Sequence, residues 1–274
     1  MKRLFFLVAI AGTLHSSAQH QLQKIWETDT TLAIPESVLP DIQNKVLYVS
    51  LIDGAPWEAD GKGAIGKVDL NGKIINANWV TGLHAPKGLG KFGNKLYAAD
   101  MNTVVVIDIL KGAIESRIKI DSAQGLNDIT VDDKGVVYAS DSRSRTGNVY
   151  RIENGAATLY LSGFRGINGL KAVGNDLYVA TGKDVYKVDA NKTQTSIGII
   201  DQGGDGIEPV GNGDWIGSAW AGFIYYMYAD GKRDLMLDAR DQKMNTADIG
   251  YDPVSKIVYV PTFARKSIVA YQLK

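Results

Sequence analysis

"GLNDITVDDKGVVYASD" (residues 125–141) holds two short apolar runs, one on each side of the turn "DDKG". Apolar residues alternating or running on for about five positions, bounded by turn formers, describe a strand, a turn and a second strand. The polar pair Asn127 and Asp128 stands at the entry to the first strand, where a turn, a cap or a ligand would each account for it.

The run anchored on Tyr138 has five relatives. Aligned on an aromatic residue, "KVLYVSLID", "KLYAADMN", "VVYASDSR", "DLYVATGK", "DWIGSAWA" and "IVYVPTFA" place Tyr48, Tyr97, Tyr138, Tyr178, Trp215 and Tyr259 at successive separations of 49, 41, 40, 37 and 44 residues. That period is the length of a propeller blade and exceeds a leucine-rich or ankyrin repeat. Most anchors follow a turn and precede another short strand such as "NVYRI", "DVYKV" or "SIVAY". Nowhere does the chain carry the roughly twelve residues at helical spacing that a parallel α/β fold needs between strands. The 30 glycines suit tight turns and close strand approaches. The expected fold is all-β, a six-bladed β-propeller with four antiparallel strands per blade, forming a single domain over residues 19–274.

Before that domain, "MKRLFFLVAIAGTLHSSA" joins Lys2 and Arg3 to an apolar stretch from Leu4 to Leu14, then small residues at Ser16 and Ala18. This three-part pattern is that of an export signal over residues 1–18, cleaved after Ala18, and implies a periplasmic or secreted protein. No later stretch is long and apolar enough to cross a bilayer as a helix, so no stable membrane insertion is expected after cleavage. With no cysteine in the chain, stability must come from packing, and thiol catalysis and cysteine metal sites are excluded. Thirty basic residues balance 30 acidic ones without long runs of either sign, which points away from nucleic acid and toward a small-molecule substrate.

The innermost strand of each propeller blade lines a central channel, so equivalent residues at its start converge on one mouth. "PESVL", "PKGLG", "LNDIT", "INGLK", "GDGIE" and "TADIG" put Glu36, Lys87, Asn127, Asn168, Asp205 and Ala247 at equivalent places. Two carboxylates and two carboxamides in one ring supply the oxygen ligands that a hard cation prefers, and leave room for substrate or water. Asn-Gly and Asp-Gly are also common turn formers, although turn chemistry does not account for Glu36.

The ordered series of an early glutamate, "ND" in the third blade, "NGL" in the fourth and "DGI" in the fifth resembles the regucalcin, gluconolactonase and luciferin-regenerating-enzyme-like family of six-bladed propellers. The likeness spans nearly all of the chain after the leader. It implies a divalent metal, calcium ahead of zinc, magnesium or manganese, held by Glu36, Asn168 and Asp205. It also implies a substrate contact from Asn127, and hydrolysis of sugar lactones or related cyclic esters, with Asp205 as the candidate catalytic carboxylate; Asp128, next to Asn127, reads either as orienting it or as a second substrate contact. Two departures stand out: "ESV" replaces the family's usual "EGP" at Glu36, and Gly125 occupies a position where several members carry a substrate-binding arginine. Lys87 has three readings, as a substrate contact in place of that arginine, as a countercharge that makes a metal unnecessary, or as a solvated side chain.

Other signals are weaker. The blade-one insertion "DGAPWEADGKGAIG", with Trp57, Glu58 and Asp60, reads equally well as a lid or as an exposed connection. Asp100, Asn102, Asp141, Ser142 and Arg143 follow second strands, where such residues line pockets or close turns. Trp220 reads as core packing ahead of sugar stacking. "GKGAIGK" (61–67) and "GLGKFG" (88–93) mimic phosphate loops, but strands flank both and Val68 follows the lysine of the first, so no nucleotide is expected. Of the histidines after the leader, His20 and His84, neither has the partners of a catalytic triad, and a lone histidine such as His84 reads as structural. Two functions of different class therefore stand: a metal-dependent hydrolase, and a non-catalytic propeller that binds a sugar, peptide or protein.

Overall fold

The segment Val46–Leu51, VLYVSL, is buried at all of its positions, whereas Ala113–Lys119, AIESRIK, is largely exposed. A strand without a polar face must be covered on both sides, and a strand with exposed alternate residues must lie at an edge. The computed structural model, which describes residues 19–274, satisfies both demands by arranging six four-stranded antiparallel sheets around an axis. The expected export signal at residues 1–18 lies outside the described residues. Blades 1 to 5 run in chain order, each from an inner strand (Pro35–Asp41, Pro86–Phe92, Leu126–Val131, Leu170–Val173, Gly204–Gly211) to an exposed outer one.

Blade 6 is assembled from both ends of the described chain. Gly250–Asp252, Ile257–Pro261 and Ile268–Leu273 form its first three strands, and the N-terminal strand Leu22–Glu27 supplies the fourth, pairing Leu22 with Leu273. This closure joins the first described strand to the last, so the ring leaves no open blade edge between its beginning and its end.

The core is divided into wedges between adjacent blades. Val46, Tyr48 and Ile65 of blade 1 pack on Leu89, Leu96 and Ala98 of blade 2, and comparable clusters fill the other interfaces, including that of blades 6 and 1. The aromatic anchors belong to these wedges. The residue three places after each ring position pairs with the anchor: Leu39 with Tyr48, Gly90 with Tyr97, Thr130 with Tyr138, Lys171 with Tyr178, and Gly250 with Tyr259. Blade 5 corrects the sequence alignment by one residue, because Glu208 pairs with Ile216 and Trp215 pairs with Pro209. Ile216 fills the wedge toward blade 6, while Trp215 faces back onto Tyr178 at 4.2 Å between ring centroids. The wedge demands a large apolar side chain, which need not be aromatic.

Four inner strands slip register at the ring position, between Pro35 and Val38, Pro86 and Leu89, Leu126 and Ile129, and Gly204 and Ile207. Such a bulge inserts a residue on one strand, breaks the ladder locally and re-aims side chains. It therefore frees an N–H that must find another acceptor. In blades 1, 3 and 5 a fully buried serine on the second strand supplies it, with Ser37, Asp128 and Gly206 N–H donating to Ser50, Ser140 and Ser218 Oγ, each at 2.9 Å. Ser140→Ala strands one buried donor and is expected to destabilise by about 1–3 kcal/mol in urea unfolding. An unchanged midpoint would contradict this role for the hydroxyl.

The closing strand carries its own clasp. Glu27 accepts hydrogen bonds from Arg265 Nε at 2.7 Å, Ser267 Oγ at 2.8 Å and Lys24 Nζ at 2.6 Å. Burial works to raise its pKa, but these three donors outweigh burial and bring it from 4.5 to about 2. A depressed folded-state pKa stabilises above the unfolded value, and that contribution is lost as pH falls through the folded value. The clasp is thus expected to give about 1–2 kcal/mol at neutral pH, after allowance for solvent screening, and to lose it between about pH 4.5 and about pH 2. Glu27→Gln should flatten the stability profile across that window, as read by denaturant midpoints at successive pH values.

Candidate functional site

The bulges bring Glu36, Lys87, Asn127 and Asp205 to the same level of the channel, with Asn168 just before the inner strand of blade 4. Glu36, Lys87 and Asp205 are 6%, 2% and 2% exposed, while Asn127 and Asn168 are partly open to solvent. Asn168 Nδ2 donates to Asp205 Oδ1 at 3.0 Å, which orients the amide and leaves Asn168 Oδ1 buried with no partner. Glu36 Oε2 is likewise buried without a partner. Asn127 Nδ2 donates to Ser142 Oγ at 3.3 Å.

Asn-Gly and Asp-Gly do not form left-handed turns here. Gly169 and Gly206 are absent from the residues with positive φ, and a Cβ on Gly169 would stand 1.9 Å from the Asp205 carbonyl oxygen. Gly169 is therefore required by the close approach of blades 4 and 5, and the asparagine before it is free to face the channel.

Electrostatics set the acids against one another. Burial, then the charge of Asp205, drives the Glu36 pKa well above the carboxylate range despite the opposing Lys87 ammonium. Asp205 is raised by burial and by Asp248, with the Asn168 hydrogen bond opposing. Lys87 is lowered to about 8 by burial, with Glu36 and Asp100 working against the shift and Arg143 adding to it. Carboxylates crowded into one dry channel cannot all ionise without added positive charge.

Lys87 does not point to solvent, which removes one of its three sequence readings. Its Nζ donates to Pro56 O at 2.6 Å and Ala85 O at 2.9 Å, and lies 3.9 Å from the centre of the Trp57 ring. The blade-one insertion is consequently a cover over this part of the mouth. His84 is structural, as expected: its Nδ1 accepts from Gly61 N–H at 3.1 Å and helps pin the insertion down.

Asp128, read from the sequence as orienting Asn127 or as a substrate contact, is buried. It lies one residue deeper, with Oδ1 accepting from Ile129 N–H at 2.6 Å and Oδ2 from Leu170 N–H at 2.5 Å, so its carboxylate ties blade 3 to blade 4. Asp248, unremarked in the sequence, occupies the same level in blade 6 and accepts from Ser37 Oγ at 2.5 Å. Burial first, then Glu208, raises its pKa to about 7, with the Ser37 hydroxyl opposing. The parallel between "ND" at 127–128 and "AD" at 247–248 was the available signal. Below this level the channel continues as a cavity of about 310 Å³, lined in part by Ser37, Asp128, Asp248 and Glu208.

Asp100 and Asp141 pin the segments that lead into the inner strands of blades 2 and 3: Asp100 accepts from His84 and Ala85 N–H, and Asp141 from Gln124 and Gly125 N–H. Trp220, expected in the core, is 48% exposed and meets Phe263 edge-on at 5.5 Å.

No protein-family model and no curated sequence matches the chain. Among solved structures it is similar to a gluconolactonase from Xanthomonas campestris, at 13% identity and a TM-score of 0.68, over 89% of this chain and 87% of that one. It is similar to a chain of a nidogen/laminin complex at 14% identity and a TM-score of 0.67, over 80% and 84% of the two chains. The likeness is one of fold. A gluconolactonase and a chain of a nidogen/laminin complex match this propeller about equally well, so the fold does not choose between functions.

The side chains at the channel mouth suit a cation. Among the described residues no three His, Cys, Asp or Glu side chains converge as a cage, so the oxygens would be Glu36, Asp205, the Asn168 amide and water. Two orphaned buried acceptors in one cluster are what such an ion would satisfy.

Proposed function

We propose that the protein is a divalent-cation-dependent hydrolase of lactones or related cyclic esters, with calcium the cation best matched to its oxygen donors. The observation that carries this reading is the pair of unpartnered buried acceptors, Glu36 Oε2 and Asn168 Oδ1, beside the Asp205 carboxylate. A cation held by Glu36, Asn168 and Asp205 would polarise the ester carbonyl. Asp205 would orient and deprotonate the attacking water, Asn168 would hold Asp205 in place, and Asn127 would donate to the substrate from the next blade. Lys87, buried against Trp57, would exclude water from one side and add positive charge near the developing oxyanion. The leader at residues 1–18 would place this activity in the periplasm or outside the cell.

A non-catalytic binding propeller is the second reading, favoured by the Lys87 ammonium, which offsets part of the acid cluster without a metal. Calcium titration followed by a lactone panel, on the wild type and Asp205→Ala, separates the two. Cation-dependent stabilisation with Asp205-dependent turnover supports the hydrolase. A protein that neither responds to calcium nor opens any lactone is a binder.

A further inference from the structure

We propose that the cyclic ester opened at this site carries a second, ionised carboxylate, as in the monolactone of a sugar diacid, and that Arg143 recognises it at the channel mouth. The inference rests on the hydrolase reading and adds a substrate class to it.

Arg143 is prepared for a ligand in three ways. First, its stem is held: a Cβ on Gly125 would stand 2.7 Å from Arg143 Cδ and 2.7 Å from Trp57 Cζ3, so both side chains lie on the bare glycine. That floor is itself fixed, because Gly125 N–H donates to Asp141 Oδ1 at 2.9 Å. Second, the guanidinium lies 5.3 Å from the centre of the Trp57 ring, the same ring that Lys87 Nζ approaches to 3.9 Å. Two cations therefore share one indole. Third, among the described residues Arg143 makes neither a hydrogen bond nor an ion pair, and its head is exposed.

The position relates this group to the chemistry. Ser142, the preceding residue, accepts from Asn127, so Arg143 follows directly in the chain on a residue that touches the polar ring. Lys87 already gives hydrogen bonds to Pro56 O and Ala85 O. Arg143 retains its whole donor fork, which matches a carboxylate in a bidentate manner. Among the described residues no carboxylate of the protein pairs with the Arg143 fork, and an anionic lactone would supply one where a neutral lactone would not. A phosphate dianion would call for more donors than this one fork.

The reaction balances as simple hydrolysis. The hydroxyl of water bonds to the carbonyl carbon, the ring C–O bond breaks, and the ring oxygen takes a proton. The new acid ionises, releasing one proton per turnover, and the product is a dicarboxylate.

The test compares the 1,4-lactone of a sugar diacid with that of the matching aldonic acid and with a phosphorylated aldonolactone, on the calcium-loaded protein. Proton release gives rates, and calorimetry gives the binding of the open-chain diacid and monoacid. The diacid lactone is expected to be preferred by about tenfold or more in kcat/KM, mainly through KM, with a similar ratio in binding. Arg143→Met keeps the stem on Gly125 and should bring both ratios close to one, with partial recovery in Arg143→Lys. Ratios near one in the wild type, ratios that survive Arg143→Met, or preference for the phosphorylated lactone would overturn the proposal. Diacid binding that depends on Arg143 without turnover of any lactone would uphold the recognition and refute the hydrolase.

Discussion

Asp205→Ala is expected to lower kcat/KM for lactone hydrolysis by about a thousandfold or more, while the protein remains folded. The carboxylate is 2% exposed, accepts from Asn168, and is the charged group that acts most strongly on Glu36. Its loss removes an oxygen donor, the candidate base and the group that orients the Asn168 amide. The companion change, Glu36→Gln, keeps the shape and removes one of the mutually repelling charges. In calcium-free buffer at neutral pH it should raise the melting temperature, because folding no longer has to bury that charge or take up a proton to avoid it. With calcium at about a hundred times its Kd, the wild type should gain roughly 2.7 kcal/mol, a shift of about 5–10 °C for a domain of this size. Glu36→Gln should lose most of that gain. Wild-type melts that coincide with and without calcium would remove the cation from the mechanism, and full activity in Asp205→Ala would remove this site.

Trp26→Ala should cost about 3 kcal/mol of stability and should lower the melting temperature by roughly 6–12 °C. Trp26 sits on the closing strand, 5.9 Å from the Tyr259 ring of blade 6, and its Nε1 donates to Leu70 O of blade 1 at 3.0 Å. It rests on Gly72, whose missing Cβ leaves the space that the indole fills. One side chain thus joins the outer edge of the closing blade to the first blade. If the ring instead closed on backbone pairing alone, the substitution would shift the melt by no more than an ordinary surface change, within about 0.5 kcal/mol.

Much of the architecture was legible because a blade is a local object. Turn spacing and apolar runs repeat with each blade, and they located the inner-strand ring, with Glu36, Lys87, Asn127, Asn168 and Asp205 at one level. The one misplaced anchor, Trp215 for Ile216, arose from reading an aromatic where the wedge requires only apolar volume.

The chain alone therefore determined the class of fold, the number of blades and the register at which polar groups meet, since each follows from periodicity within about forty residues. Tertiary structure decided what those groups do to one another. It gave the N-terminal strand to the last blade, committed both Asp128 oxygens to backbone amides of blades 3 and 4, and laid Trp57 against Lys87 and Arg143. These are contacts between segments remote in sequence, set by bulges and by close approaches at Gly125 and Gly169, and no periodic pattern records which neighbour a re-aimed side chain will meet.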